Sequence, residues 1–212
     1  MNTPPVNAPS ASHRPDHFTR AGEPRLAPLT EHEPTSRHRE ALVEESRART
    51  PYFALPVRDP DALQARTRAD FDIFHNTDDG LPRAERELAS TAVSRFNGRV
   101  FRGSVHARLA ARPATRREDV DRLLAEGVGT DTGHLRWNAV VRAAVALSAT
   151  PVEFDAEHVA EPRSLGATDA DIVDIVDSAA FFTWANRLIL SLGEPVHPHT
   201  LRASRAGQEG DR

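Results

Sequence analysis

Residues 85–108, ERELASTAVSRFNGRVFRGSVHAR, decide the fold class of this chain. Their apolar side chains recur at the three- and four-residue spacing of one helical face: Leu88, Ala89, Ala92, Val93 and Phe96. Asn97 and Gly98 follow directly, and glycine often ends a helix because it adopts a left-handed backbone without strain. The stretch therefore predicts an amphipathic helix over 81–96 that stops at Asn97.

Similar repeats, with residues that start or stop helices, occupy most of the remaining chain. Pro60 suits a first helical turn, Thr168 with Asp171 forms a capping pattern, and Gly127 and Gly193 suit helix ends. Helices are predicted over 36–48, 59–75, 99–112, 117–127, 135–147 and 168–192. Alternating patterns typical of strands do not reach a useful length, so the sequence predicts an all-α protein.

The two ends of the chain differ from its middle in composition. Residues 1–36 contain seven of the sixteen prolines and few large apolar side chains, so this segment cannot bury enough surface to order itself. We expect a disordered tail over 1–36, one helical domain over 37–196 and a flexible tail over 197–212. His197 and His199 in the last tail lack a third ligand nearby, so we expect no metal site.

Composition excludes several kinds of chemistry. The chain has no cysteine, and its 27 basic residues are all arginine, so disulfides, thiolate nucleophiles and lysine Schiff bases are impossible. No nucleotide-binding motif occurs, and we expect no cofactor. The net charge of −4 favours neither nucleic acid nor an anionic membrane as a partner. No export signal is visible, so the cytoplasm is the expected location.

The stretch that decides the fold also resembles a family motif. Members of the alkylhydroperoxidase D-like and carboxymuconolactone decarboxylase family, in its peroxidase-related branch, carry a glutamate followed twelve residues later by a CxxCxxxH motif. The matching residues here are Glu87, Asn97, His106, Ala107 and Arg108. The resemblance continues to the closing helix with its Asn186–Arg187 pair and covers roughly residues 40–196. It implies an alkylhydroperoxidase D-like helical bundle of about seven to eight helices.

Arg99 and Arg102 occupy the two cysteine positions of that motif, so the peroxidase cycle of the family cannot run here. On a helix, Arg99, Arg102 and His106 would share an arc of about 60°. The N-terminal turn predicted there would add unpaired N–H groups that favour an anion. We therefore expect Arg99 and Arg102 to bind a small acidic molecule, unless both arginines are merely solvated.

Glu87 gives conflicting indications. The helical wheel points it away from the apolar stripe, towards solvent, whereas the resemblance assigns it, with His106, to a catalytic site. Both hold only if a second helix or a neighbouring subunit covers that face. This favours a homo-oligomer, a trimer or hexamer, or assembly with a paralogue.

Three functions remain open on the sequence alone. The first is a cofactor-free lyase or isomerase in which Glu87 and His106 transfer protons, because carboxymuconolactone decarboxylases share the fold and work without a cysteine pair. The second is a non-catalytic member that binds a small anion or assembles with a paralogue. The third is the antioxidant, peroxiredoxin-type activity that the family resemblance implies, which requires a thiol that the chain lacks.

Overall fold

The computed structural model describes residues 25–27, 29, 35–44, 47, 51–99, 110 and 116–193. Within these residues the chain forms α-helices and two short 3-10 turns, and no strand is present. The helices are α1 (Ser36–Ala41), α2 (Pro60–His75), α3 (Arg83–Phe96), α4 (Arg117–Glu126), α5 (Leu135–Ser148), α6 (Glu157–Ser164) and α7 (Asp169–Leu192). The prediction of an all-α protein is confirmed.

The helix ends follow the residues that predicted them. Gly127 and Gly193 come directly after α4 and α7, and both have a positive φ, of 106° and 81°. At the start of α7 the Thr168 N–H donates to Asp171 Oδ2 over 3.0 Å. The Asp171 N–H donates to Thr168 Oγ1 over 3.1 Å, which completes a reciprocal cap.

Two helices differ from the prediction. The first was expected over 36–48, but α1 ends at Ala41, and Val43 has a φ of 64°, which a β-branched residue in a helix cannot adopt. Helix α6 was not predicted at all, because Pro162 lies inside it and proline normally argues against a helix interior. The helix predicted over 99–112 falls almost wholly outside the described residues.

The described residues divide into two compact units, one within 73–186 and the other within 25–72 and 187–193. In the first unit, the apolar stripe of α3 packs against side chains from α4, α5 and α7. Members of this cluster include Leu88, Ala92, Val93, Leu123, Trp137, Val140, Ile175, Ala179 and Phe182. Helix α3 therefore lies within the apolar core of this unit.

The second unit has its own small cluster of Ala41, Leu42, Val57 and Leu63. Within the predicted N-terminal tail over 1–36, the structure describes 25–27, 29 and 35–36, and Ser36 already belongs to α1. The Arg25 N–H donates to the Leu192 carbonyl over 2.8 Å, so the short piece at Arg25 is held at the end of α7. Residues 1–24 and the predicted tail over 197–212 lie outside the described part of the chain.

No helix in the described ranges is long and apolar enough to cross a membrane.

A buried guanidinium fixes the loop that leads into α3. Arg86, only 2% exposed, donates to the carbonyls of Ile73, Asn76 and Asp79 over 2.8–2.9 Å. Its Nη2 also lies 2.9 Å from Asp174 Oδ2 on α7. The loop consequently passes close to that carboxylate, and a Cβ on Gly80 would lie 2.0 Å from Asp174 Oδ2.

The charged contact between α5 and its neighbours centres on Arg136. Its Nε donates to Glu85 Oε2 over 2.9 Å and its Nη2 to Asp171 Oδ2 over 3.1 Å. Burial opposes the charge on Arg136, but the two carboxylates outweigh it and raise the pKa of the guanidinium. Because both carboxylates are largely buried, this group ties α3, α5 and α7 together.

We expect Gly80→Ala to destabilise the protein strongly. The φ of 84° costs an L-residue about 1–2 kcal/mol, and the added methyl would displace Asp174 from Arg86. Urea unfolding should show a loss of at least about 2 kcal/mol. Gly129→Ala is the matched control, because nothing lies within 4 Å of its Cβ position and its φ is not in the left-handed range. Equal effects of the two substitutions would contradict this account.

We expect Arg136→Met to cost about 2–3 kcal/mol of unfolding free energy at neutral pH, because it leaves Glu85 and Asp171 without their shared cation. The control is Arg142→Met on the same helix, where the ion pair with Glu161 is about half exposed. That pair should contribute no more than about 1 kcal/mol. Chemical unfolding of both variants measures the difference, and a loss in Arg136→Met no larger than in the control would refute it.

Candidate functional site

Helix α3 has a polar face as well as an apolar one. Starting at Glu87, the polar side chains occupy an arc of about 100° that points away from the apolar stripe. They are Glu87, Ser90, Thr91 and Ser94, and none is more than 1% exposed. A polar face of this kind normally lies in solvent. Here it is buried within a single copy of the chain, which makes it the first candidate for a functional site.

The expectation from the helical wheel that Glu87 faces solvent is therefore wrong. The wheel locates the apolar stripe correctly, but it cannot show that the opposite face is covered too. Asn186 of α7 reaches this face at Ser94, and the Leu124 carbonyl of α4 accepts a hydrogen bond from Arg95 over 2.7 Å. Since one copy already covers Glu87, its burial gives no reason to require an oligomer.

The polar groups at the N-terminal end of this face are hydrogen-bonded locally. Ser90 Oγ donates to the Arg86 carbonyl over 3.0 Å, and Thr91 Oγ1 donates to the Glu87 carbonyl over 2.7 Å. The Glu87 carboxylate lies 3.3 Å from Arg83 Nε, one turn earlier. The Arg83 side chain is 45% exposed whereas that of Glu87 is 1% exposed, so the pair joins a buried carboxylate to a surface cation.

The chain leaves α3 through a Schellman motif that positions Arg99. The Gly98 N–H donates to the Arg95 carbonyl over 3.2 Å, and the Arg99 N–H donates to the Ser94 carbonyl over 2.8 Å. Gly98 supplies the required left-handed backbone, with a φ of 77°. The residue in the position of Arg99 is often apolar and packs on the helix. Arg99 takes this place and is 3% exposed, so a guanidinium is buried there.

This geometry corrects one expectation about Arg99. The sequence placed it in the first turn of a new helix, with a free N–H for an anion. In the structure Arg99 is not helical, and its N–H already bonds to Ser94, so only its side chain can contribute to anion binding. Arg102 and His106 lie outside the described residues. The structure therefore locates Glu87 and Arg99 of the four predicted site residues, both buried.

Sequence reasoning missed Ser94 as a site residue and gave Asn186 only as part of the family resemblance. The side chains of these residues meet, since Asn186 Nδ2 donates to Ser94 Oγ over 3.2 Å. A signal for Ser94 was present, because it follows Glu87 by seven residues and so lies within about 20° of it on the wheel. The helical wheel shows this face as polar, but a polar face predicts exposure to solvent, whereas this one is buried.

Two other features bear on where a ligand could bind: a surface hollow and the grouping of possible metal ligands. A surface hollow of about 470 Å³ is lined by residues of α1 and the start of α2, and neither Glu87 nor Arg99, the described site residues, borders it. Across the described ranges, no three histidine, aspartate or glutamate side chains are grouped as metal ligands. The polar face of α3 remains the candidate site.

Comparison with known proteins agrees with the sequence motif. Residues 60–146 match the sequence model of the carboxymuconolactone decarboxylase family, a stretch that runs from α2 into α5 and contains Glu87 and Arg99. No curated protein matches the chain.

Three solved structures share the fold. The alkylhydroperoxidase AhpD core of an uncharacterized peroxidase-related protein from Ralstonia eutropha JMP134 is 20% identical, with a TM-score of 0.68 over 84% of this chain and 94% of the other. An uncharacterized peroxidase-related protein from Silicibacter sp. TM1040 is 20% identical, with a TM-score of 0.63 over 85% and 96%. A cysteine-to-alanine variant of the debrominase Bmp8, in complex with 2,3,4-tribromopyrrole, is 18% identical, with a TM-score of 0.59 over 89% and 99%.

At these identities the solved structures establish the fold alone, and the similarity to the carboxymuconolactone decarboxylase family rests on residues 60–146, which contain the motif residues Glu87 and Arg99. The predicted alkylhydroperoxidase D-like helical fold is confirmed. The cysteine-free chain thus has the alkylhydroperoxidase D-like fold, and its residues 60–146 are similar to the carboxymuconolactone decarboxylase family.

Proposed function

We propose that this protein is a cofactor-free lyase or isomerase that acts on a small organic acid. Glu87 and His106 transfer protons, and Arg99 and Arg102 bind the carboxylate of the substrate. The observation that carries the proposal is the burial of Glu87, which is 1% exposed on a helix face composed of polar side chains. His106 and Arg102 enter through the family motif, because both lie outside the described residues.

The surroundings of Glu87 suit a general base. Burial removes competing water, and a carboxylate held in one orientation loses little freedom when it accepts a substrate proton. Arg83 approaches Glu87 Oε1 from the surface, so the carboxylate has a cationic neighbour at 3.3 Å. The hydroxyls of Ser90 and Thr91 donate to backbone carbonyls of their own helix. They are thereby satisfied without using the carboxylate.

Arg99 supports the binding half of the proposal. A guanidinium keeps its charge at every physiological pH, and a buried one attracts a carboxylate more strongly than a solvated one. Arg99 lies five residues after Ser94, and its backbone N–H donates to the Ser94 carbonyl. Arg99 therefore lies at the C-terminal end of the polar face that carries Glu87. The substrate acid would then lie along this face, with its carboxylate towards Arg99.

The structural neighbours fit a small-molecule site without defining its chemistry. One neighbour is a debrominase in complex with 2,3,4-tribromopyrrole, so this fold can hold a small organic ligand. Other neighbours are described as peroxidase-related. A thiol peroxidase cycle is not proposed for this chain, because none of its 212 residues is cysteine.

We expect Glu87→Gln to reduce turnover sharply while leaving the fold intact. A turnover screen with acidic lactones and 2-keto acids would identify the reaction, and kcat/KM of the variant should then fall by about 10²–10⁴-fold, because an amide cannot accept the proton. Glu85→Gln is the matched control, since Glu85 is a buried carboxylate on the same helix that pairs with Arg136. Activity that survives undiminished in Glu87→Gln, with both variants folded, would refute the assignment of the base.

If no acid in the screen turns over but some bind, the non-catalytic alternative is favoured over the lyase or isomerase.

We expect the double variant Arg99→Ala, Arg102→Ala to lose affinity for small acids. Charged hydrogen bonds in a sheltered site contribute about 1.5–3 kcal/mol each, so Kd should rise by at least about tenfold for each bond lost. Calorimetric titration with citrate, phosphate and muconolactone measures this, and Arg163→Ala, which removes an exposed guanidinium, is the control. Equal affinity of wild type and double variant, or hydroperoxide consumption that depends on His106, would contradict the proposal.

A further inference from the structure

Asn186 is a buried residue whose hydrogen bonds are incomplete. It is 1% exposed, and its Nδ2 donates to Ser94 Oγ over 3.2 Å. Its Oδ1 is buried and has no hydrogen-bond partner among the described residues. A buried amide oxygen without a donor is costly, because water has been removed and nothing replaces it. Proteins usually keep such a group only where something else satisfies it.

The Asn186 amide has a polar atom without a hydrogen-bond partner in either of its two possible orientations. Turning the Asn186 amide by 180° would let Ser94 Oγ donate to Oδ1, but it would leave the two N–H groups of Nδ2 in the place of the oxygen. In either orientation one polar end of the amide faces away from Ser94. Asn186 therefore offers hydrogen-bonding capacity that the described part of the fold does not use.

A second buried polar atom without a hydrogen-bond partner among the described residues lies at the same end of α3. Asn97 follows Ser94 by three residues, and its Nδ2 is buried without a hydrogen-bond partner in the described ranges. Ser94 connects these groups, since its carbonyl accepts from the Arg99 N–H and its hydroxyl from Asn186. Asn186, Asn97 and Arg99 thus all lie at or next to the last turn of α3, and the first two each have a buried polar atom without a hydrogen-bond partner among the described residues.

The combination indicates the chemical class of the ligand. A hydroxyl group can donate one hydrogen bond and accept another, so it satisfies the acceptor of Asn186 and the donor of Asn97 together. A carboxylate on the same molecule would be held by Arg99. We propose that this end of the polar face binds a hydroxy acid, with Asn186 and Asn97 bound to its hydroxyl. The inference rests on the proposed function for the carboxylate and adds the requirement for a hydroxyl.

The test compares acids that differ only in the hydroxyl: malate with succinate, and mandelate with phenylacetate. Titration calorimetry should show that the wild type binds the hydroxy acid of a pair about tenfold more tightly, and that Asn186→Leu binds both members equally. Asn186→Leu should melt at the same temperature as the wild type or higher, because it removes an unsatisfied buried group. Asn97→Ala, at the helix end, should also lose the preference. Ser90→Ala, which removes a satisfied hydroxyl on the same face, should keep it.

The outcomes separate this inference from the proposed function. If the wild type binds malate and succinate equally, and likewise mandelate and phenylacetate, the hydroxy-acid site is refuted and the acid site stands. If it binds none of the four acids, the hydroxy-acid site is refuted, and the acid site is refuted as well if citrate, phosphate and muconolactone also fail to bind. A preference retained in Asn186→Leu or in Asn97→Ala would overturn the inference. So would a large drop in the melting temperature of Asn186→Leu, which would show that the amide is satisfied within the protein.

Discussion

Both faces of α3 are buried, and the rest of the first unit is arranged around that constraint. The apolar stripe packs against α4, α5 and α7 through ordinary burial of Leu88, Val93 and their neighbours. The polar face cannot be buried without partners, because each buried polar group must replace the water it loses. Ser90 and Thr91 solve this by bonding to their own helix, Glu87 by pairing with Arg83, and Ser94 by meeting Asn186.

The same constraint explains why the arginine that replaces a motif cysteine can be accommodated. Arg99 occupies a position in the helix-ending motif where the side chain turns back towards the helix, next to a face that is already polar. A guanidinium buried beside an apolar stripe would be far more costly. The exchange of sulfur for a permanent charge changes the available chemistry from redox to electrostatic, while the backbone around the motif ends α3 through a glycine in a left-handed conformation.

The sequence predicts features that depend on neighbouring residues better than features that depend on contacts between distant parts of the chain. The ends of α2, α4, α5 and α7 follow from nearby residues such as Pro60, Gly127 and Asp171, and these were predicted to within a residue or two. The early end of α1 depends on the backbone of Val43, and α6 forms despite Pro162, so neither was visible in the pattern. For the site, the family motif pointed to Glu87 and Arg99. The pairing of Ser94 with Asn186 joins residues 92 positions apart, which periodicity cannot reveal.

The buried polar face also lowers the stability of this fold at the place where a ligand is proposed to bind. An apolar residue in place of Asn186 would remove a buried amide oxygen that has no hydrogen-bond donor among the described residues. Selection for stability alone would therefore remove the amide. The amide nevertheless lies in the interior, and Asn97 and the buried Arg99 lie at the same end of α3, as expected if this end of the polar face binds a ligand. Because Glu87 and these groups are buried within one copy of the chain, the described part of the site is formed by tertiary packing.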